Sequence, residues 1–482
     1  MAVRSTFTDE ARITLGNVAH RAGSAFSPNI RLGVTGLSRA GKSVFITALI
    51  HNLINGGRLP LFEPHAERRI ARAYLEPQPD DDVPRFAYET HVEKLVSERH
   101  WPEGTRSISQ LRLTLDYESQ SAWSQLFGTR KLHLDIIDYP GEWLLDLPLL
   151  AKSFQQFSAD AYAQTQGPNR EAIAKTYLEM ADAIDPDSPA DEQKVQDLAD
   201  AYKTYLRACR EDTLALSTLP PGRFLMPGDL DGSPALTFAP LKHIAPRTKQ
   251  GSMQAIMERR YEAYKNIVVR PFFREHITRL DRQIVLVDAM QAINAGGEAL
   301  HDLERALGEV LACFRPGAGN LLTSLWQRRI DRILIAATKA DHVHHENHGQ
   351  LEALVEFLTD RAKKRAGRAG ASVKSIALAA VRATREGTIN DDGETLPVII
   401  GVPMQGERIG KQTFDGTRET AIFPGDLPDD PEKLFQTKAT KAQRFVKMRP
   451  PQLERDLSGR PLSLPHIRMD KALQYLIGDR LA

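Results

Sequence analysis

The sequence predicts an α/β protein: a mostly parallel sheet with flanking helices, a large helical insertion and a β-rich insertion. Three observations predict it. An apolar strand pattern runs into a glycine turn and then a helix at Gly33–Leu49, "GVTGLSRAGKSVFITAL". The second half alternates short apolar runs with helical stretches, the pattern of parallel strands joined by helices. Between these regions lies a long charged tract with helical periodicity and no strand character.

The chain has 482 residues, enough for several domains, with ordinary hydrophobic (41%) and charged (26%) content for a globular protein. A net charge of +1 supplies no global field for nucleic acid or an anionic membrane. Two cysteines, Cys209 and Cys313, rule out a disulfide framework and fit a reducing compartment. No window approaches the roughly 18 apolar residues of a spanning helix. The first residues, with Leu15, Val18 and Ala19 spaced as on an amphipathic helix, have no apolar run of signal-peptide length. A cytoplasmic protein is expected.

In chain order, residues 30–36 predict a buried strand and 42–53 the helix after it. Residues 57–104 are mixed. Two strand-like stretches at 107–119 and 131–141 are close enough for an antiparallel pair, the first burying Leu111, Leu113 and Leu115 on one face. The tract 142–215 is helical, 219–241 is a Pro/Gly-rich turn segment, and a helix spans about 252–280. "RQIVLVDAM", "DRILIAATKAD" and "VKSIALAAVRAT" (373–384) are strands buried on both faces, separated by helices near 296–314 and 349–365. Residues 386–430 suggest an antiparallel addition, and Leu473, Leu476 and Ile477 mark the apolar side of a last helix. The expected organisation is an N-terminal helical segment (1–27), a first core part (28–141, with an insertion at about 52–104), a helical inserted domain (142–280), a second core part (281–385), a β-rich insertion (386–455) and a C-terminal helix (456–482).

"GLSRAGKS" fits the phosphate-loop (Walker A) pattern G-x-x-x-x-G-K-[ST] at Gly36, Gly41, Lys42 and Ser43. The spacing suits the chemistry. The glycines let backbone N–H groups of Ser38, Arg39, Ala40, Val44 and their neighbours surround phosphates at a helix N-terminus. Lys42 reaches the β- and γ-phosphates, and the Ser43 hydroxyl suits Mg²⁺. "LHLDIIDYPGEW" adds Asp138 and Gly141, a D-x-x-G arrangement in which the aspartate holds the metal and the glycine N–H meets the γ-phosphate. Asp288, ending "IVLVD", is a rival aspartate without a glycine turn. Thr105 is the candidate second hydroxyl on Mg²⁺, with Ser107 and Ser109 as alternatives. Glu142 stands where a water-orienting glutamine often follows the glycine; its charge would oppose a γ-phosphate, so slow hydrolysis is expected. Arg39 and Arg106 are candidates for charge neutralisation.

"ILIAATKADHV" resembles the guanine motif N/T-K-x-D: Asp341 would accept from guanine N1–H and N2–H₂, and Lys339 would lie along the base and ribose. In "LAAVRAT", Val381 would offer its N–H to guanine O6 and Arg382 would stack on the base, although Ala380 replaces the usual serine. The order of these parts is that of a Ras-like P-loop NTPase core, and favours GTP/GDP over ATP. Further segments, "WPEGTRSIS", "IIDYPGEWLLDLPLL", "FLMPGDLDGSPALTFAPL", "VVRPFFREHITRLDRQIVLVD" and "LPHIRMDKALQYLIGDRL", make the chain resemble the YcjX-like family of bacterial P-loop proteins over about 25–482. The resemblance implies a GTP/GDP-binding core with a helical insertion and a role in a bacterial envelope or phage-shock-type stress response. It also implies a membrane-associated stress protein as partner and peripheral placement at the inner membrane through it.

Other constellations are weaker. "DHVHHENH" gathers His342, His344, His345 and His348, with His344 and His348 spaced to share a helix face, but an exposed polar turn is the expectation. "PDDD" at 79–82 is expected to be a solvated acidic loop, and "RAKKRAGR" (361–368) a basic surface rather than a nucleic-acid site. A P-loop ATPase or kinase remains an alternative, lacking a clear acceptor pocket or arginine-rich lid. A nucleotide-stabilised scaffold without significant turnover is the other.

Overall fold

The computed structural model describes residues 28–36, 40–105, 107–120, 129–211, 214–216, 220–313, 330–366, 371–391, 394–436, 445–453 and 463–482. Seven strands form the central sheet: β1 (Asn29–Gly36), β2 (Ile70–Glu76), β3 (Ser109–Tyr117), β4 (Arg130–Asp138), β5 (Arg282–Val287), β6 (Arg332–Ala337) and β7 (Ser372–Ala377). Their order is β2-β3-β4-β1-β5-β6-β7. The pairs β4–β1, β1–β5, β5–β6 and β6–β7 are parallel. β3 runs antiparallel to β4, as its short link to β4 predicts, and β2 antiparallel to β3. This mostly parallel sheet flanked by helices is a Ras-like P-loop fold with additions.

The buried strands serve two cores at once because successive side chains point to opposite faces. In β5, Ile284 and Leu286 pack beneath the helices Lys42–Ile54 and Met469–Ile477. Val285 and Val287 face the other way, into a core shared with the helices Gly297–Cys313 and His348–Ala366. That second core continues into the inserted tract, through the helices Phe154–Thr165, Glu171–Asp182, Glu192–Cys209 and Met253–Tyr264. The C-terminal helix buries Leu473, Leu476 and Ile477 as its pattern requires.

Several elements differ from the sequence expectation. The edge strand β2 went unrecognised within the mixed 57–104 region, because its burial does not alternate. The strand expected over 373–384 stops at Ala377, so "LAAVRAT" is a loop. The start of the helical tract, Gly141–Ala151, is a 3₁₀-helix containing Pro148, whose missing N–H breaks an α-helical ladder. The helix expected over 252–280 divides into Met253–Tyr264, a π-turn Lys265–Val269 and Arg270–Glu275. Pro271 opens the last piece, and the wider turn accommodates its ring and absent donor.

Beyond the sheet, β8 (Arg385–Asp391), β9 (Glu394–Gly401) and β12 (Thr420–Ile422) make a three-stranded antiparallel sheet, with a small hairpin of β10 (Arg408–Ile409) and β11 (Gln412–Thr413). Asp80 in the acidic loop is not merely solvated: it receives a hydrogen bond from the Arg31 guanidinium at 2.6 Å. No helix of the described residues is long and apolar enough to cross a membrane. The N-terminal residues Leu15, Val18 and Ala19, together with Ser38, Arg39 and Arg106, lie outside the described residues.

Candidate functional site

The C-terminal ends of β4, β1, β5 and β6 and the loop after β7 lie along one edge of the sheet, where open α/β folds bind ligands. β1 ends at Gly36 beside Leu286 of β5. Gly41 then caps the helix Lys42–Ile54 with φ 81°, a left-handed conformation natural only to glycine. Its carbonyl accepts from the Phe45 N–H at 2.9 Å, so the helix opens directly behind the loop. Ala40 is buried and Val44 half-buried. Lys42 is largely buried, and its ammonium reaches back to the Gly36 carbonyl at 3.4 Å, spanning the turn.

Three oxygen side chains from different elements converge beside this helix start. Thr105 Oγ1 donates to Asp138 Oδ2 at 2.7 Å, and lies 3.4 Å from Ser43 Oγ. Ser43 also approaches the Glu103 carbonyl at 3.4 Å. Asp138 is 2% exposed, and its Oδ1 is buried without a hydrogen-bond partner among the described residues. Burial pushes its carboxyl up to about 6, opposed by the Lys42 charge and the Thr105 hydroxyl. A hard, oxygen-only donor set with an orphaned carboxylate oxygen fits Mg²⁺. Of the alternatives, Ser109 is the first residue of β3 and stands opposite Asp138 in the β3–β4 ladder.

Gly141 opens the 3₁₀-helix after Asp138 and is buried. Glu142 is 4% exposed; its Oε2 has no hydrogen-bond partner among the described residues, and its main chain lies directly under Gly222. Four residues on, Asp146 is 1% exposed and accepts from Gly222 N–H (2.7 Å), Arg223 N–H (3.2 Å) and Tyr264 Oη (2.6 Å). The Arg223 guanidinium sits 3.2 Å from the Trp143 ring centre. The segment that follows D-x-x-G is thereby strapped to the helical insertion. No local pattern announces this, because the partners of Asp146 are distant in sequence.

At the far side of the edge, Lys339 has φ 61° and its ammonium pairs with Asp288 Oδ2. Asp288 also caps the helix Ala289–Ala295 through the Gln291 N–H at 3.2 Å. Among the described residues its partners are Gln291 and Lys339 rather than the Ser43–Thr105–Asp138 cluster. Asp341 is 4% exposed; its Oδ2 accepts from the Ala383 N–H at 2.8 Å, and its carbonyl from Thr384 Oγ1. The base motif thus holds the loop after β7 in place without the serine that Ala380 replaces. Val381 is buried in that loop. Arg382 directs Nε to the Thr384 carbonyl at 3.0 Å and lies 3.5 Å from Glu386.

The histidine-rich turn corrects the exposed-turn expectation. His342, His344 and His348 are buried, and only His345 is exposed, bonding Glu386 at 2.9 Å. His348 Nε2 is committed to the Ala340 carbonyl at 2.8 Å, so its spacing with His344 does not make a ligand pair.

A family model described as the YcjX-like family, DUF463, matches residues 30–481. The chain is 38% identical over 466 residues to the protein named Ras-like GTPase YcjX of Escherichia coli (strain K12), covering 94% of this chain and 96% of that one. It is 32% identical over 474 residues to the protein of the same name in Shewanella oneidensis, covering 94% and 95%. Matched along almost its whole length by that model and by both relatives, the chain belongs to the YcjX-like family.

Proposed function

We propose that this protein binds GTP and GDP with Mg²⁺, hydrolyses GTP slowly and uses the difference as a switch. The observation that carries this reading is the convergence of Ser43, Thr105 and Asp138 at the start of the phosphate-loop helix, on the same sheet edge as Asp341. The relatives' name, Ras-like GTPase, supports it.

In this reading Gly36, Ser38, Arg39, Ala40, Gly41 and Val44 surround the phosphates with main-chain N–H groups. Lys42 leaves the Gly36 carbonyl for the β- and γ-phosphates. Ser43 and Thr105 would hold Mg²⁺, with Asp138 behind them. When bound, the ion neutralises charge developing on the phosphate oxygens. Gly141 offers its N–H to the γ-phosphate. Glu142 is packed against the insertion, which agrees with slow intrinsic turnover and gives it a coupling role besides any contact with water. Asp341 keeps Oδ2 on the Ala383 N–H, and the lone pairs left on its two oxygens would accept from guanine N1–H and N2–H₂, flanked by Lys339, Val381 and Arg382.

The insertion over 142–280 would report the γ-phosphate, because it starts at the residue after Gly141. The cores at 28–141 and 281–385, the β-rich 386–455 segment and the C-terminal helix would be its frame. A bacterial envelope or phage-shock-type stress role, with a membrane-associated protein partner and a cytoplasmic site at the inner membrane, follows from the family resemblance alone.

The test is calorimetric titration of nucleotide-free protein with GDP, GTPγS, ADP and ATPγS in Mg²⁺, beside Asp341→Asn. Guanine nucleotides should bind preferentially, and the variant should lose that preference. Equal or tighter adenine binding would transfer the site to the ATPase or kinase reading.

A further inference from the structure

The strand order places β5 between β1, which ends in the phosphate loop, and β6, which ends in the base motif. Asp288, immediately after β5, therefore lies between the phosphate end and the base end of the site. Its side chain is 6% exposed, so its charge needs compensation within the protein. Two groups supply it: Oδ1 accepts from the Gln291 N–H, and Oδ2 pairs with the Lys339 ammonium.

Lys339 needs such a tether. It is a non-glycine residue at φ 61°, a strained conformation for a residue with a Cβ. Its long stem is 31% exposed, and fixing a free lysine costs rotamer entropy. Thr338, just before it, is held by N–H and Oγ1 on the Val287 carbonyl at 2.9 and 3.3 Å. The chain is thus pinned on one side of Lys339 by β5 main chain, and its ammonium by the residue that follows β5.

We propose that Asp288 is a positioning residue for guanine recognition: by its ion pair it holds the Lys339 stem along the sheet edge, ready to flank the base two residues before Asp341. The inference rests on the guanine-nucleotide reading above. Both Asp288 oxygens are engaged, so it acts through Lys339 and not on the nucleotide. A preorganised stem spares the bound state the cost of ordering it.

The test measures GDP, ADP and inorganic pyrophosphate binding, in Mg²⁺, by the full chain and four variants: Asp288→Asn, Asp288→Ser, Lys339→Ala, and Asp288→Asn with Lys339→Ala. Serine keeps a helix cap while removing the charge, which preserves a usable variant if asparagine impairs folding. GDP should bind roughly tenfold more weakly to either Asp288 variant, while pyrophosphate, which touches only the phosphate end, stays within about twofold. The double variant should match Lys339→Ala alone. Unchanged GDP affinity, an equal loss of pyrophosphate, or multiplying losses in the double variant would each overturn the inference. Wild-type protein binding ADP as tightly as GDP would remove the guanine reading and this inference together. GDP affinity unchanged in both Asp288 variants, with the wild-type guanine preference intact, removes the inference alone.

Discussion

Gly222 shows how closely the insertion approaches the segment after D-x-x-G. A Cβ built there would stand 1.9 Å from the Glu142 carbonyl oxygen and 2.5 Å from its carbon, both main-chain atoms that cannot rotate aside. Gly222→Ala should therefore cost about 2–3 kcal/mol in urea unfolding, the scale of overpacking. Gly349→Ala is the comparison, since nothing lies within 4 Å of its Cβ and the site is in a helix. That variant should be neutral or more stable by up to about 1 kcal/mol. Equal costs at the two positions would mean the close approach at Gly222 relaxes freely. Residue by residue, the change from β1 to the helix Lys42–Ile54 was legible in the sequence, because an apolar run, a glycine and then a helical period mark it, and Gly41 takes the left-handed turn there. The pairing of Asp288 with Lys339 was not legible, because the two are 51 positions apart and no spacing rule joins them.

At the scale of elements, the 3₁₀-helix Gly141–Ala151 depends on Asp146, whose carboxylate gathers two backbone donors and the Tyr264 hydroxyl. Burial pushes this carboxyl up to about 6, and the Tyr264 hydroxyl and the Gly222 and Arg223 N–H groups only partly offset it. A carboxyl whose folded value lies above its unfolded value binds its proton more tightly when folded. Its stabilising share is therefore complete below the unfolded value, near 4, and is lost as pH rises through about 6. Wild-type protein should lose about 2 kcal/mol between pH 4 and 6.5 from this group, and Asp146→Asn should not. The measurement is the difference between the two urea-unfolding curves across that range, which cancels the other titrating groups. Parallel curves would mean that Asp146 is ionised without penalty. The helix itself was only partly legible: "GEWLLDLPLLA" has helical periodicity, but its tight winding comes from Pro148 and tertiary burial. Likewise the break after Tyr264 is signalled by Pro271, while the π-turn that absorbs it is not.

For the whole molecule, the strap makes a physical link between the nucleotide edge and the inserted helices. Gly141 and Asp146 belong to one short helix; its first residue lies three positions after Asp138, and its middle is bonded to residues 76 and 118 positions away. The docking of the insertion's core against the sheet could not be read from the sequence, because such contacts follow from three-dimensional packing and not from periodicity. A γ-phosphate that draws the Gly141 N–H toward it must move a helix already fixed at Trp143 and Asp146. Packed elements shift between discrete arrangements rather than bending smoothly, so the motion should extend into the strap. Hydrogen exchange of the protein with GTPγS and with GDP tests this directly. Amides of residues 141–151 and 220–224 should differ in protection between the two nucleotides by on the order of tenfold, while those of β8 and β9 stay alike. Differences confined to the phosphate loop would leave the insertion a passive cover over the switch segment. Protection that changes in both the 3₁₀-helix and the strap would make the insertion the part of the molecule through which a partner reads the bound nucleotide.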